Sequence, residues 1–339
     1  CILYFFLIWY NLNGDFMKKI KNNIYVLYTL LLSLLIILVF FYINNITPFG
    51  SKDFTVIDFY HQYFPMTSEL INRILNSKTL LFSFNGSLPF IRNLYNYLSS
   101  PFNILLLPFK DNLSTGFSLL IAIKAVLAST TICYYLTKNI KNSILSIPIS
   151  ISYGFSSYYI AYHWNIMWLD SVVLLPLIVL GLERLVKEHK GLLYTITLGL
   201  AILSNYYIAI MICLSMVIYF FVLIISENLG NKKNYMKSIF CFIGYSLLAG
   251  GVASVLLLPE MAALQYTASS DFSFPKVMTR YFSFFAMFKR HLINVDVHLG
   301  LEHHPNIYCG VAAFVLVPLF VMSKKISKKE KITKMIALF

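Results

Sequence analysis

Apolar runs of about 20 residues recur along this chain, separated by short clusters of lysine, and that pattern leaves few folds open. Rising about 1.5 Å per residue, a helix of that length crosses the roughly 30 Å hydrocarbon core of a bilayer. Charge is correspondingly scarce. Only 12% of residues are charged and 58% are hydrophobic, against roughly 25% charged in an ordinary soluble domain. The sequence therefore predicts an all-α integral membrane protein, a polytopic helical bundle of about eight spans. Residues 17–339 read as one membrane domain, with no short repeat, linker or low-complexity tail to divide them.

The formal charge of +13 does not point to nucleic acid, because the lysines lie in short clusters between apolar runs. That pattern orients membrane spans, with the basic loops in the cytoplasm. Lys18, Lys19 and Lys21 place the start inside, and a first span at about 24–43 leads to a long outer loop, about 44–112. The second span, about 113–136, returns to Lys138 and Lys141. The third, about 144–162, leaves to HWNIMW, and the fourth, about 169–186, returns to Arg184, Lys187 and Lys190. The next apolar stretch, 191–226, has basic residues at both ends. As one helix it would be about 50 Å long, too long for a single crossing. Two short spans that turn at Ser204–Tyr207 restore the parity. A seventh span at about 238–258 leads to a second outer loop, about 259–306, and an eighth at about 307–323 returns to SKKISKKEK. Both outer loops are expected to carry interfacial helices.

Residues 1–16 precede Met17 and its lysines, which resemble a natural start, so they read as an upstream or interfacial segment. The end, KMIALF, opens a new apolar run and reads as a truncation. The five cysteines are odd in number, lie mostly within predicted spans and include no CxxC. Neither a disulfide framework nor structural zinc is expected.

By this parity most acids fall outside: Asp53, Asp58, Glu69, Asp111, Asp170, Glu260, Asp271, Asp296 and Glu302. Acids contribute little to topology, so their gathering on one face invites a chemical reading. In VIDFYHQYFPM (56–66), Asp58, His61 and Gln62 would share a helix face, because positions i, i+3 and i+4 are neighbours. A carboxylate there can take a proton from a hydroxyl nucleophile or hold a divalent cation beside a phosphate. It can equally cap an interfacial helix. Asp53 stands five residues earlier. Arg92, isolated in an aromatic stretch, suits a lipid phosphate or a plain interfacial anchor. Asp170 sits where the fourth span begins. It either complements the helix dipole or faces the same cavity as Asp58, lined by His163, Asn165 and Trp168. Glu260 is a further rim acid at the end of the seventh span, and Lys124 interrupts the second span and demands a partner or a path to the interface. DVHLGLEHHPN gathers Asp296, His298, Glu302, His303 and His304 but lacks HExxH spacing, so it reads as polar loop surface before metal site. No phosphate-loop, dinucleotide or nucleophile-elbow motif occurs.

Five stretches, in order, carry a resemblance: DFYHQYFPM, NLYNYLSSPFNILLLPF, SYGFSSYYIAYHWNIMWLDSVVLLPLIVLGLERL, LAILSNYYIAIMI and PNIYCGVAAFVLVPL. They resemble the YfhO family of bacterial membrane proteins, from about Met17 to the end. The resemblance implies a GT-C-like fold and a membrane glycosyltransferase, specifically a hexosyltransferase. Such an enzyme moves a sugar from a polyprenyl-phosphate donor to a cell-envelope acceptor such as teichoic acid, on the outer face of the bacterial cell membrane. It also implies an essential acid in the first outer loop, where Asp58 is the matching position. Asp53, His61, Gln62, Asp170 and Glu260 are further catalytic or substrate-binding candidates. The departing lipid phosphate calls for a cation, and Arg92, Arg280 and Arg290 are the candidates. This loop has no adjacent DD, DxD or ExD. A divalent cation, Mg or Mn, is thus an open expectation, and no other cofactor is expected.

Expected partners are the lipid-linked sugar, the envelope polymer and membrane lipids. The alternative is a transporter or flippase of lipid-linked saccharides, which would keep polar groups near the midplane on broken helices. Here Ser204–Asn205 breaks an apolar run, but the acids gather at the rim. A non-catalytic scaffold would make those rim acids incidental.

Overall fold

A helix that is apolar on all sides has nothing to show water, so it is either surrounded by protein or exposed to lipid. Both cases occur in this computed structural model. It describes residues 24–78, 83–84, 88–89, 97–139, 144–227, 232–265, 277, 282–298 and 304–338. The segment 1–16 and Arg92, Asp271, Arg280, Glu302 and His303 lie outside these residues.

The first helix, α1 (Ile24–Ile43), buries Thr29, Ser33, Ile37 and Phe41 at every fourth position, while Leu31, Leu35 and Leu38 are exposed. After it come a π-helical turn (Phe59–Tyr63), α2 (Phe64–Leu75), a two-residue antiparallel pairing of Ser83–Phe84 with Leu88–Pro89, and a 3-10 helix (Pro101–Phe109). Then α3 (Leu113–Asn139) runs through the centre, with two thirds of its most apolar window buried. The buried stripe of α1 rests on Ala122 and Val126 of α3, and Thr29 donates to Cys133 Sγ at 3.2 Å. Small and weakly polar residues let helices approach closely where no hydrophobic force separates lipid from protein.

The third expected span is two short helices, α4 (Ser146–Gly154) and α5 (Ser157–Ala161). Gly154 lies so close to α3 that a Cβ there would meet Ala125 O at 2.8 Å, and Ser156 leaves helical geometry to cap α5. The competing cap at Ser156 ends the first helix after nine residues. The fourth span corresponds to α6 (Trp168–Glu188), closed by His189 at φ 57°. The break expected at Ser204–Tyr207 separates α7 (Leu192–Ser204) from α8 (Tyr206–Ser226). Asn205 is extended there and its Oδ1 accepts from Ile208 N at 3.0 Å, capping α8.

The long helix α9 (Lys232–Leu264) continues six residues past the expected boundary at 258, through Pro259. A proline near a helix end removes one backbone hydrogen bond and bends the helix more readily than it stops it. It packs along α7, where Tyr194 Oη and Ser246 Oγ are 3.1 Å apart and Thr195 donates to Tyr245 O at 3.2 Å. The chain then forms α10 (Phe284–Lys289), α11 (Val311–Met322) and α12 (Lys328–Leu338).

Among the described residues, four helices are long and apolar enough to cross a membrane: Ile24–Ile43, Leu113–Asn139, Tyr206–Ser226 and Lys233–Ala262. They match the first, second, sixth and seventh expected spans. The 21-residue α6 has the length but carries several charges. The 13 residues of α7 and the 12 of α11 are shorter than one bilayer crossing.

Among the described residues, the two largest apolar clusters join the remaining helices. One joins α6 to α9 around Ile178, Leu182, Leu198 and Phe220. The other seats the first loop on α3, α5 and α6 around Phe59, Phe117, Tyr159 and Leu169.

The close α6–α7 contact passes through Gly181, where a Cβ would meet Tyr194 N at 2.5 Å, whereas Gly251 on α9 has open space. Gly181→Leu should cost about 1–3 kcal/mol through overpacking. Gly251→Leu should cost less or even stabilise, because leucine is the better helix former. Thermal unfolding of the detergent-solubilised protein compares the two, and equal midpoints would refute the contact.

Candidate active site

The loops and helix ends that carry the rim acids meet at one end of the bundle, opposite the end marked by Lys138, Lys187 and Lys190. The first loop is anchored there by Asp53. Its Oδ1 accepts from Thr55 N (3.0 Å) and Thr55 Oγ1 (2.5 Å), and its Oδ2 accepts from Ser114 Oγ (2.6 Å) in the first turn of α3. Burial pushes this carboxyl up, but the hydrogen bonds from Ser114 and Thr55 outweigh it and hold Asp53 below its ordinary value. A carboxylate so stabilised is a weak proton acceptor. Thr47 and Thr115 add a second link, with their hydroxyls 2.5 Å apart.

Asp58 is arranged differently. Ile57 before it has φ 51°, a conformation that a β-branched residue adopts only under strain. Asp58 then stands at the N-cap of the π-helical turn Phe59–Tyr63 and is exposed, and its side chain makes no hydrogen bond to the described residues. Phe59 and Tyr63 point inward: Phe59 meets Phe117 edge-on at 4.8 Å, and Tyr63 donates to Asn165 Oδ1 at 3.1 Å. The charge of Asp58 reaches Tyr63, whose phenol is driven up mainly by burial and then by Asp58 and Tyr97.

The α-helical spacing expected for Asp58, His61 and Gln62 does not hold, because a π turn closes at i+5 and rotates successive side chains differently. His61 instead joins Asp53, Thr55, Tyr60, Phe64 and Pro65 around an open cavity of about 490 Å³. Asp58 and Gln62 are not in its lining.

The turn between α5 and α6 faces the loop. His163 Nδ1 lies 2.7 Å from Ile160 O, its ring packs on Phe54 at 5.2 Å, and burial lowers its pKa against the opposing effect of that backbone hydrogen bond. Rings of Tyr158, Tyr162, Trp168 and Tyr207 follow one another at 5.0, 5.6 and 5.7 Å, and Tyr207 is half exposed. Asp170, expected at the rim or on a helix dipole, is in the first turn of α6 but fully buried. Its Oδ1 lies 2.5 Å from Lys124 Nζ on α3, which also donates to Ile166 O at 2.8 Å. Lys124 thus finds the partner its position demanded.

Glu260, near the end of α9, is 2% exposed, and neither carboxylate oxygen has a hydrogen-bond partner. Its charge reaches Tyr206, which is also within reach of Tyr97. Tyr97 in turn packs on Tyr63 at 5.3 Å, and Ser99 donates to Ser204 O at 3.2 Å. The Ser99–Ser204 bond therefore ties the first loop to the end of α7. The sequence carries no sign of that bond, whose partners are 105 residues apart.

Of the three candidate arginines, Arg290 is 6% exposed and donates to Pro305 O, Asp296 O and Asn306 Oδ1 at 3.0, 2.6 and 2.8 Å. It ties the second loop, which docks through Ser157 N and Tyr308 O at 2.8 Å. His298 and His304 pack at 4.9 Å. Among the described residues no three His, Cys, Asp or Glu side chains could hold a metal ion.

Removing one partner of a buried ion pair strands the other charge, at about 3–5 kcal/mol, whereas an apolar replacement of both is often neutral. Lys124→Met should therefore lower the unfolding midpoint sharply. Lys124→Met with Asp170→Leu should recover most of the loss. A double variant no better than the single would show that the pair does not couple these helices.

The sequence matches the family described as bacterial membrane protein YfhO over residues 29–339, which is nearly the whole chain. No curated protein and no solved structure matches it. The chain belongs to the YfhO family of bacterial membrane proteins.

Proposed function

We propose that the protein is a membrane glycosyltransferase acting at the loop end of the bundle, which faces the outside of the cell. The donor is a sugar on polyprenyl phosphate, and the acceptor is a hydroxyl of a cell-envelope polymer such as teichoic acid. One observation carries this reading. Buried polar atoms without partners gather at this end: Ser100 Oγ, Trp164 Nε1, Asn165 Nδ2, Ser171 Oγ and both oxygens of Glu260. Buried polar groups are almost always paired, so a group of exceptions calls for a ligand or water to complete them. A sugar offers hydroxyls that both donate and accept, and the ladder from Tyr158 to Tyr207 offers rings for its apolar face.

Asp58 is the general base. It is exposed, it is held by a strained residue, and its side chain makes no hydrogen bond to the described residues, so it is free to accept a proton. The acceptor hydroxyl gives its proton to Asp58 as its oxygen bonds to the sugar's anomeric carbon. The bond from that carbon to the phosphate oxygen breaks, and the lipid phosphate leaves with the electron pair. Arg92 and Arg280 are proposed to stabilise that phosphate, because Arg290 already has three acceptors. Glu260 holds donor hydroxyls, while Asp53 and His61 shape the neighbouring cavity. No step is routed through Mg or Mn.

A flippase is the second reading, favoured by one feature: the Lys124–Asp170 pair buried between helices α3 and α6. One experiment separates the two. Asp58→Asn in the full-length protein should lower sugar transfer from a polyprenyl-phosphate donor in membranes by roughly 100-fold or more, the usual size of a general-base effect. Undiminished transfer at normal expression removes Asp58 as the base. A wild type that moves the lipid-linked sugar across vesicles without transferring it establishes the flippase.

A further inference from the structure

The other end of the bundle holds a polar cluster that the proposed chemistry does not use. Glu183 on α6 is 7% exposed. Its Oε1 accepts from Tyr135 Oη on α3 and from Tyr219 Oη on α8, both at 2.8 Å, and its Oε2 accepts from Asn139 Nδ2 at 3.1 Å. Among the described residues it has no ion pair; nearby Lys187 is engaged by Glu227 at 3.0 Å. Tyr135, Glu183 and Tyr219 stand four to seven residues before the ends of their helices at Asn139, Glu188 and Ser226. That is roughly 6–10 Å of helix. An acid at such a depth is expensive, and its retention in a membrane protein points to function.

Beside this cluster lies a cavity of about 470 Å³ between α3, α6 and α8. Tyr135, Tyr219 and Ser215 supply its polar wall, and Leu175, Val179 and Met216 its apolar one. The adjoining face of α8 is exposed at Leu214, Ile218 and Phe221, so the cavity is reached from the lipid side.

The hydrogen bonds decide what this wall can bind. Both phenol protons go to Glu183, and the Ser215 proton goes to Met211 O at 2.8 Å. What remains toward the cavity is lone pairs and ring faces, backed by a carboxylate. A phosphate is repelled there. A cationic hydrogen-bond donor is the complement, attracted by the carboxylate, the phenol oxygens and the rings together.

We propose that this cavity binds the ammonium headgroup of a membrane lipid. The amine rests on the phenol oxygens of Tyr135 and Tyr219, and the chain lies along Leu175, Val179 and Met216. Lys138, one turn beyond Tyr135 and lying over the Tyr134 ring at 4.8 Å, supplies a cation for the lipid's phosphate. The site is independent of the glycosyltransferase reading.

The test uses the full chain in nanodiscs and two probes with identical acyl chains, phosphatidylethanolamine and phosphatidylglycerol. Retained lipid is measured by native mass spectrometry. Wild type should retain the amine lipid roughly tenfold better, the size of one charge-assisted contact. Glu183→Gln keeps the shape and an acceptor but removes the charge, so it should abolish the preference. Ser215→Trp fills the cavity without touching Glu183 and should also remove it, which keeps the test decisive if the Glu183 variant does not fold. Equal retention of the two lipids by wild type overturns the proposal. So does a preference that survives Ser215→Trp.

Discussion

The contact between Lys124 and Asp170 is the constraint on which the loop end depends. Lys124 lies near the middle of α3, where no water can solvate it, and both side chains are fully buried. The pair fixes the first turn of α6 against α3. The second bond of Lys124, to Ile166 O, fixes the turn before α6 as well. That turn carries Asn165, which receives Tyr63 from the first loop, and it leads to Trp168, which stacks on Tyr207 of α8. Displacing Lys124 would release three segments at once. Buried pairs add little net stability, because desolvation offsets most of the attraction. What this pair supplies is register, since a slip along either helix would strand a charge in the hydrocarbon.

The two aspartates of the first loop divide the work that one of them could not do alone. Asp53 accepts hydrogen bonds from Thr55 and from Ser114 at the positive end of α3, so it stays ionised and holds the loop. The same bonds that anchor it weaken it as a base. Asp58 follows a residue at positive φ and heads a π turn, two unfavourable local features that α2 and the Phe59–Phe117 contact hold in place. Strain of this kind persists only where the surroundings impose it. It leaves Asp58 exposed beside a rigid frame.

Several of these arrangements were legible in the sequence and others were not. The break at Asn205 followed from length and charge parity, and the cap there is a local interaction. That Lys124 needed a partner was also legible, but its identity was not, since Asp170 is 46 positions away. The two short helices over 144–162 escaped notice because hydropathy averages over the close approach at Gly154 and the cap at Ser156. The shared face of Asp58, His61 and Gln62 assumed a period of 3.6 residues, and the π turn broke that assumption. Glu183 lies among the basic residues of the inner end, where an acid reads as ordinary surface charge balance. Its signal was present all the same, as an acid within LIVLGLERL.

The unpartnered polar atoms at the loop end gain weight from how the chain treats its other buried hydroxyls. Thr130 bonds to Val126 O, Thr197 to Leu193 O, Ser150 to Ser146 O and Ser204 to Leu200 O, each back onto its own helix. A buried serine or threonine therefore has a ready way to satisfy itself in this fold. Ser100, Ser118 and Ser171 do not take it, and Trp164, Asn165, Glu260 and the Oδ2 of Asp170 keep unpaired atoms at the same end. At the other end only His189, among the described residues, does so. Poor packing would scatter such atoms along the bundle. Their confinement to the end where Asp58 is exposed is what a polar occupant, present during the working cycle, would produce.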